Sequence, residues 1–380
     1  MFIRLSRSLS AGLIMLIMSL AWLPESVLHA RSALLAEAKK ESGLVLSVRT
    51  SPTALFENHQ LITDPDMMNA VKNPKWQLTS EVPRFSDLYV NEQRLGAPLL
   101  RLDTSGQLWD ETYKMRLVLP SKAVMKLRQA ADALHQQHYG KLLDWQEAEK
   151  LFSRKSIFVI KDMETGLTFR VQRRAGHDHA DVQPVTKADT EVMKQIYNKG
   201  WTWDRKAIIA EKDGKQIAAS MNGMPHGGDG IPENGFSGHF CIHFLNSSTH
   251  KSDAPDLPHQ LMVYKAAGML RNYFADSSPL QLGQSLIEAL HHDDSEMVQT
   301  LTEGLSQEQS AALLQHKQDW SSIRRKDGRE LPQEESLLSD VQLEAETMHI
   351  TRGVRLLQVQ SHFVRTSPIS PWELKELNLS

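Results

Sequence analysis

The spacing of apolar and polar residues predicts an N-terminal module that mixes strands and helices. Apolar positions recur at helical spacing after Ser121, which has the residue type of an N-cap, and Gly140 ends that pattern. Residues 50–95 are polar, interrupted by proline and only weakly periodic. We therefore expect a small α+β module over residues 31–153. The predicted strands cover residues 43–48, 99–102 and 113–119, and the predicted helices follow Ser121 and Asp144.

The pattern becomes that of a β-rich domain from residue 154. Two alternating runs separated by a Thr-Gly turn predict a hairpin over residues 157–171. Asp213-Gly214 lies between two further apolar runs and is a strong two-residue hairpin signal. A glycine-rich loop over residues 222–238 then leads into a strand at 239–245. These elements predict a mainly-β central domain over residues 154–268.

The remaining chain, residues 269–380, is expected to form a second small α+β module. One amphipathic helix is predicted over residues 261–274, and Ser278-Pro279 opens another. Residues 326–335 have the composition of a linker, and two long strands are predicted at 341–350 and 354–364. Helices followed by an antiparallel hairpin allow an NTF2-like module. The overall prediction is an α+β multidomain chain.

The first 30 residues have the pattern of a secretory signal peptide. Arg4 and Arg7 precede an apolar run over residues 13–23, and Ala30 ends a plausible cleavage site. The run is shorter than the roughly 20 residues of a membrane-spanning helix. The pattern predicts an exported protein, extracellular or associated with the cell wall. Retention of the segment as an uncleaved membrane anchor is the alternative, so membrane contact is expected only there.

Composition narrows the function classes further. The 380 residues carry 43 Lys+Arg against 46 Asp+Glu, a formal net charge of -3, without a basic patch that predicts binding to nucleic acid. Mean hydropathy is -0.39, which excludes a polytopic membrane protein. The sequence has no P-loop, no dinucleotide fingerprint, no Gly-x-Ser-x-Gly and no His-Glu-x-x-His. We therefore expect neither a nucleotide partner nor a bound cofactor.

The chain has one cysteine, and the histidines next to it make it a candidate nucleophile. Residues 238–244 read Gly-His-Phe-Cys-Ile-His-Phe. Because side chains alternate along a strand, His239, Cys241 and His243 are expected on one face and the three apolar residues on the other. An imidazole beside a thiol accepts its proton and leaves a nucleophilic thiolate. The pattern therefore predicts a cysteine nucleophile.

This region resembles the catalytic motif of the YkuD-type L,D-transpeptidases. That family carries His-Gly, a loop of similar length, and then Ser-His-Gly-Cys-Ile/Val-Arg. Here His226-Gly227 precedes Gly238-His239-Phe240-Cys241-Ile242-His243. The resemblance covers about residues 155–250. More widely, the run from His179 to Cys241 is similar to an uncharacterised domain of exported Firmicute proteins, which we interpret as a divergent relative of the transpeptidases.

The resemblance implies acyl transfer on peptidoglycan stem peptides through a cysteine thioester, ending in a cross-link or in hydrolysis. Cys241 would be the nucleophile, His239 its general base and His226 a residue that polarises the acyl site. Substrate would be bound by the surrounding positions of the motif, which are His243, Gly227, Gly238 and Phe240. Three of these depart from the family: Gly238 replaces Ser, Phe240 replaces Gly, and His243 replaces an Arg that would hold anionic substrate.

Two alternatives remain open at the level of sequence. The first is a zinc-dependent cell-wall peptidase with His239, Cys241 and His243 as ligands, since thiolate and imidazole both bind zinc. The run His177-Asp178-His179-Ala180-Asp181 resembles the His/Asp clusters of zinc D-Ala-D-Ala peptidases, without their full ligand spacing. The second alternative is a non-catalytic exported wall-binding protein. Trp201 and Trp203 are candidates for lining a glycan or peptide groove, or equally for core packing.

Overall fold

The computed structural model describes residues 43–78, 83–92, 99–111, 114–198, 200–228, 230–249, 252–330 and 336–380. Within these ranges helices alternate with four antiparallel sheets, one of them closed into a barrel. The predicted α+β class is therefore confirmed. The predicted signal peptide, residues 1–30, lies outside the described residues.

None of the helices that the structure describes is long and apolar enough to cross a membrane.

The N-terminal module is a seven-stranded antiparallel sheet with a long helix packed on it. Its elements are β1 (Leu44–Val48), β2 (Asn58–Ile62), α1 (Pro65–Lys72), β3 (Trp76–Leu78), β4 (Phe85–Glu92), β5 (Leu99–Asp103), β6 (Leu108–Asp110), β7 (Met115–Leu117) and α2 (Ser121–His138). The strand order is β2-β1-β4-β5-β6-β7-β3. Leu127 and Leu134 of α2 join Leu46 and Leu102 in one buried core.

Two local expectations for this module are corrected. Four elements lie within residues 50–95, where the sequence shows weak periodicity, because β2 and β3 have largely polar or exposed residues. The N-cap of α2 is Pro120 rather than Ser121, and no side chain caps the helix. Proline fixes the extended backbone that precedes the first turn, so the helix begins at Ser121, one residue earlier than a serine cap predicts.

The central domain is a closed barrel of six antiparallel strands. Its elements are α3 (Trp145–Leu151), β8 (Ile157–Asp162), β9 (Thr168–Ala175), β10 (Ala180–Pro184), α4 (Lys187–Ile196), β11 (Lys206–Lys212), β12 (Lys215–Met221) and β13 (Phe240–His243). The strands close in the order β10-β13-β12-β11-β8-β9. Both predicted hairpins, β8-β9 and β11-β12, are confirmed. Trp145 and Ala148 of α3 pack into the barrel core, so α3 contacts this domain although it precedes the predicted boundary at residue 154.

The outer wall of the barrel is covered by helices of the following segment. This segment contains β14 (Ser248–Thr249), β15 (Ser252–Pro255), α5 (Leu257–Ala266) and α6 (Leu270–Asp276). Leu261 and Met262 of α5 join Ile209 and Ala218 of the barrel in a second core. The single helix expected over residues 261–274 is wrong, because Gly268 adopts a φ of 67° and separates α5 from α6.

The C-terminal module packs helices on a four-stranded antiparallel sheet. Its elements are α7 (Pro279–His291), α8 (Ser295–Leu301), α9 (Gln307–Gln318), β16 (Trp320–Glu330), β17 (Leu338–His349), β18 (Gly353–Val364) and β19 (Glu373–Leu379). Leu286 and Leu290 of α7 pack against Leu343 of β17. The predicted linker begins too early, since residues 326–330 belong to β16 and pair with β17. The residue types of this stretch are those of a linker, yet residues 327–330 pair with β17 after a register shift between Arg325 and Asp327.

Candidate active site around Cys241

Strand β13 separates an apolar face from a chemically reactive face, as the sequence predicts. Phe240, Ile242 and Phe244 are fully buried and belong to the barrel core. Cys241 lies on the opposite face, outside the barrel, and its side chain is 5% exposed. The strand therefore fixes the direction of the thiol by packing three large side chains on its other face.

His226 is held against the thiol. Its Nε2 lies 3.2 Å from Cys241 Sγ, and its Nδ1 donates to the carbonyl of Met224 at 2.9 Å. The carbonyl fixes the proton of the ring on Nδ1 and leaves Nε2 to exchange a proton with sulfur. A backbone bridge between His226 and His239 brings the loop back onto the start of β13. The structure thus places His226 at the position for proton transfer that the sequence prediction gives to His239.

Asp181 of the neighbouring strand β10 and His179, just before that strand, complete the surroundings of the sulfur. Asp181 lies directly opposite Cys241 in the β10-β13 pair, and its Oδ1 is 3.9 Å from Sγ. His179 Nε2 lies 3.2 Å from the same oxygen, and His179 Nδ1 donates to the carbonyl of Ser248 at 2.9 Å. His179 also hydrogen-bonds the thiol. Sequence reasoning noted these two residues only as part of a metal-like cluster.

The electrostatics of the cluster favour a thiolate. Burial by itself raises the pKa of Cys241, but hydrogen bonds from His179 and His226 outweigh it and lower the thiol pKa below its usual value of 9.0. Burial likewise lowers the pKa of His179, yet its hydrogen bonds to Asp181 and Cys241 raise it to about 10. The hydrogen bond to Cys241 raises the pKa of His226 as well. All three shifts favour the thiolate of Cys241 and the protonated rings of His179 and His226.

His239 lies at the edge of this cluster. Its Nε2 is 3.6 Å from Asp181 Oδ1, and its ring centroid is 4.5 Å from that of His226. The two glycines of the motif allow this packing. A Cβ on Gly227 would lie 2.3 Å from the His239 ring, and one on Gly238 would lie 2.4 Å from the carbonyl of His226. Gly227 and Gly238, predicted to bind substrate, therefore also bring the two imidazoles together.

The other two predicted substrate-binding residues have enclosed side chains. The ring of Phe240 is fully buried in the barrel, so only its backbone lines the site. The ring of His243 is 2% exposed and stacks between those of His179 and His259, with centroid distances of 4.4 and 3.7 Å. The ring therefore packs beneath the thiol, and its contact with substrate stays a prediction.

The stack ends in a hydrogen bond that the sequence gives no means of predicting. His259 Nδ1 lies 2.9 Å from Ser220 Oγ, and both residues are buried. Burial, with the nearby imidazoles, holds the pKa of His259 well below its usual value. His259 therefore stays neutral beneath the charged end of the stack. Only the proximity of α5 to β12, which follows from the tertiary fold, joins these two residues.

The open side of the site carries an aromatic residue. Trp203 is 50% exposed, and its ring centroid lies 5.1 Å from that of His226. Trp201, by contrast, packs edge-on against Phe236 beside the barrel core. The two tryptophans that sequence reasoning grouped together thus separate into a rim residue and a packing residue.

The same cluster offers ligand atoms for a metal. Ligand atoms of His179, Cys241 and His243 lie within 4.8 Å of one another, and all three residues are buried. This set shares Cys241 and His243 with the alternative ligands expected from the sequence, and it contains His179 where His239 was expected. A histidine must lose its proton to bind zinc, which the raised pKa of His179 opposes.

Comparison with known proteins adds no name to this site. No protein-family model, curated protein or solved structure matches the chain. The resemblance to the transpeptidases therefore rests on the residues around His226 and Cys241 alone.

Proposed function

We propose that the protein is an exported cysteine acyltransferase of the L,D-transpeptidase type that acts on peptidoglycan stem peptides. The observation that carries the proposal is the contact of 3.2 Å between His226 Nε2 and Cys241 Sγ, within a cluster that lowers the thiol pKa. A low thiol pKa is the requirement for a cysteine nucleophile at neutral pH. The position of His226 in a His-Gly dipeptide upstream of the cysteine supports the transpeptidase type.

The chemistry divides between the two histidines that hydrogen-bond the sulfur. The thiolate of Cys241 attacks the carbonyl carbon of the donor peptide and forms the C–S bond. The C–N bond breaks, and His226 gives its proton to the departing amine, leaving a thioester. The acceptor amine then attacks the thioester, His226 takes the proton of that amine, and the C–S bond breaks to restore the thiolate. Water in place of the amine gives hydrolysis.

His179 has a different role from His226 in this scheme. With a pKa of about 10 it keeps its proton near neutral pH, so it stabilises the thiolate and does not shuttle protons. Asp181 holds the imidazolium in place through the contact of 3.2 Å. His226 is partly exposed and borders the open side, where donor and acceptor enter. Trp203 at the rim is placed to pack against a peptide or glycan.

Two finer fold assignments belong to the same proposal. The YkuD-like assignment of the barrel is supported by the placement of the motif cysteine on a strand whose other face is apolar. The NTF2-like assignment of the C-terminal module is supported by helices packed on a four-stranded antiparallel sheet. Export to the cell wall is proposed from the residues of the N-terminal segment, which precede the described chain.

The experiment that tests this function uses a tetrapeptide muropeptide as donor and a free amine as acceptor. The wild-type protein is expected to release the terminal residue and form the exchanged or hydrolysed product, detected by mass spectrometry. Cys241→Ser should form none, while its circular dichroism and melting temperature stay close to wild type, since the change is nearly isosteric. Turnover by Cys241→Ser at the wild-type rate would remove Cys241 from the reaction.

A zinc peptidase is the second candidate, favoured by the ligand set His179, Cys241 and His243. In that case zinc would hold a water molecule and lower its pKa for attack on the peptide. The two candidates differ in their response to metal removal, since only the zinc peptidase would lose activity with its metal.

A further inference from the structure

A second group of side chains of the types that bind metals lines a cleft beside α5. Ligand atoms of Asp204, His291 and His292 lie within 4.8 Å of one another. Asp204 lies two residues before the start of β11 of the barrel, whereas the two histidines lie at the end of α7 of the C-terminal module. The cluster therefore spans the junction between two parts of the chain that are far apart in sequence.

The cleft is large enough for an ion with its water ligands, and its lining is acidic. Its volume is about 310 Å³. Five carboxylates line it against three cationic side chains; these are Asp162, Glu164, Asp204, Asp293 and Asp294, against Arg205, Lys206 and Lys265. The C-terminal end of α7 adds the negative end of a helix dipole. Each of these features stabilises a cation in the cleft.

Two of the three lining cations are paired with a carboxylate, and the third, Lys206, lies 5.4 Å from the ring centroid of Tyr197. Lys265 pairs with Asp294, and Arg205 pairs with Asp256 at 3.1 Å. Asp204, which is exposed, has no ion pair within 4.0 Å among the residues that the structure describes. Its carboxylate is therefore available for a ligand that enters the cleft.

The two imidazoles have buried nitrogens that the protein does not satisfy. His291 Nδ1 and His292 Nε2 are both buried without a hydrogen-bond partner in the described part of the chain. Asp162, which lines the same cleft and is 1% exposed, also has one buried oxygen without a hydrogen-bond partner among the described residues. Buried polar atoms without partners are rare in folded proteins, and a bound ion or water is the usual explanation.

We propose that Asp204, His291 and His292 bind a divalent transition-metal ion of the zinc class and thereby tie the barrel to the C-terminal helices. Two imidazoles and one carboxylate are a ligand set that zinc accepts, with bonds of about 2.0–2.2 Å. The site does not depend on the acyl-transfer proposal, because it shares no residue with the cluster around Cys241.

The test is zinc titration of the Cys241→Ser chain by calorimetry, so that the thiol does not contribute ligands. One zinc ion per chain is expected to bind and to raise the melting temperature, since a ligand that binds only the folded state stabilises it. Zinc affinity should fall by more than about tenfold in each of three ligand variants, Asp204→Asn, His291→Gln and His292→Gln. Even substitutions outside the ligand shell lower metal affinity roughly 10- to 100-fold. His177→Gln is the matched control, since its exposed ring pairs with Asp178 alone among the described residues.

The outcomes separate the proposal from its alternatives. Loss of zinc binding in Asp204→Asn, with circular dichroism unchanged, supports the site. Of the three ligand variants this one is least able to disturb folding, because Asp204 is exposed. Zinc that binds wild type but not Cys241→Ser would place the metal at the thiol and overturn the proposal. Equal affinity in Asp204→Asn and in the His177→Gln control would overturn it as well.

Discussion

Replacement of His226 by glutamine is expected to raise the thiol pKa of Cys241 by about 1–2 units. The substitution removes the imidazole whose Nε2 lies 3.2 Å from Sγ, while an amide of similar length remains. A hydrogen bond to a charged group contributes about 1.5–3 kcal/mol, and one pKa unit corresponds to 1.36 kcal/mol, which gives this shift. At a pH below both midpoints the thiolate fraction should fall roughly 10- to 100-fold.

The assay is the rate of alkylation of Cys241 by iodoacetamide as a function of pH. This reagent is small, which suits a thiol that is 5% exposed, and the single cysteine makes the reaction site-specific. His239→Gln should raise the midpoint by less than His226→Gln, since its ring contacts Asp181 at 3.6 Å. His177→Gln, at an exposed position, should leave the midpoint unchanged. An identical midpoint in His226→Gln and in this control would refute the assignment of His226.

Three further outcomes follow from the described contacts. Protein treated with a chelator should keep its acyl-transfer activity and its Cys241 labelling, whereas excess zinc should inhibit both. Activity that is lost on chelation and restored by stoichiometric zinc would favour the metallopeptidase. The free energy of unfolding should fall as pH drops from 6.5 toward 4. Burial lowers the pKa of His138 and of His292 to about 4, so in this range the unfolded chain binds protons that the folded chain does not. Each histidine should lower the free energy of unfolding by about 2 kcal/mol at pH 5, which is measured as a lower midpoint of urea unfolding. A urea midpoint that does not change with pH would contradict this. Gly238→Ala should reduce both the activity and the reactivity of the thiol at neutral pH, with little change in circular dichroism, because its Cβ would lie 2.4 Å from the carbonyl of His226. Unchanged activity would show that the close approach of Gly238 to His226 is not required.

The parts of the fold set by local patterns could be predicted from the sequence. The alternation around Cys241 has a period of two residues, so it places Phe240 and Ile242 in a core whatever the partners of the strand are. The hairpin at Asp213-Gly214 follows from turn chemistry in the same way. Both predictions rest on neighbours within a few residues, and the structure confirms both.

The partners of the thiol needed tertiary information. Asp181 lies opposite Cys241 only because β10 pairs with β13 across 60 residues of chain, and nothing in either strand specifies that register. The His-x-Asp spacing at His179 and Asp181 was a usable signal, since side chains two residues apart in an extended segment point to the same side. His259 reaches Ser220 through the packing of α5 on the barrel, which leaves no pattern in the sequence.

The central claim, acyl transfer through Cys241, is tested most directly by the intact mass of the protein after brief incubation with a stem-peptide donor or a carbapenem. A donor that acylates the thiol should add the mass of its acyl group to wild-type protein, with the adduct mapping to the peptide that contains Cys241. His226→Gln should form the same adduct more slowly, and Cys241→Ser should form none. An unmodified mass for wild-type protein with both donors, under conditions where iodoacetamide labels the thiol, would contradict the account.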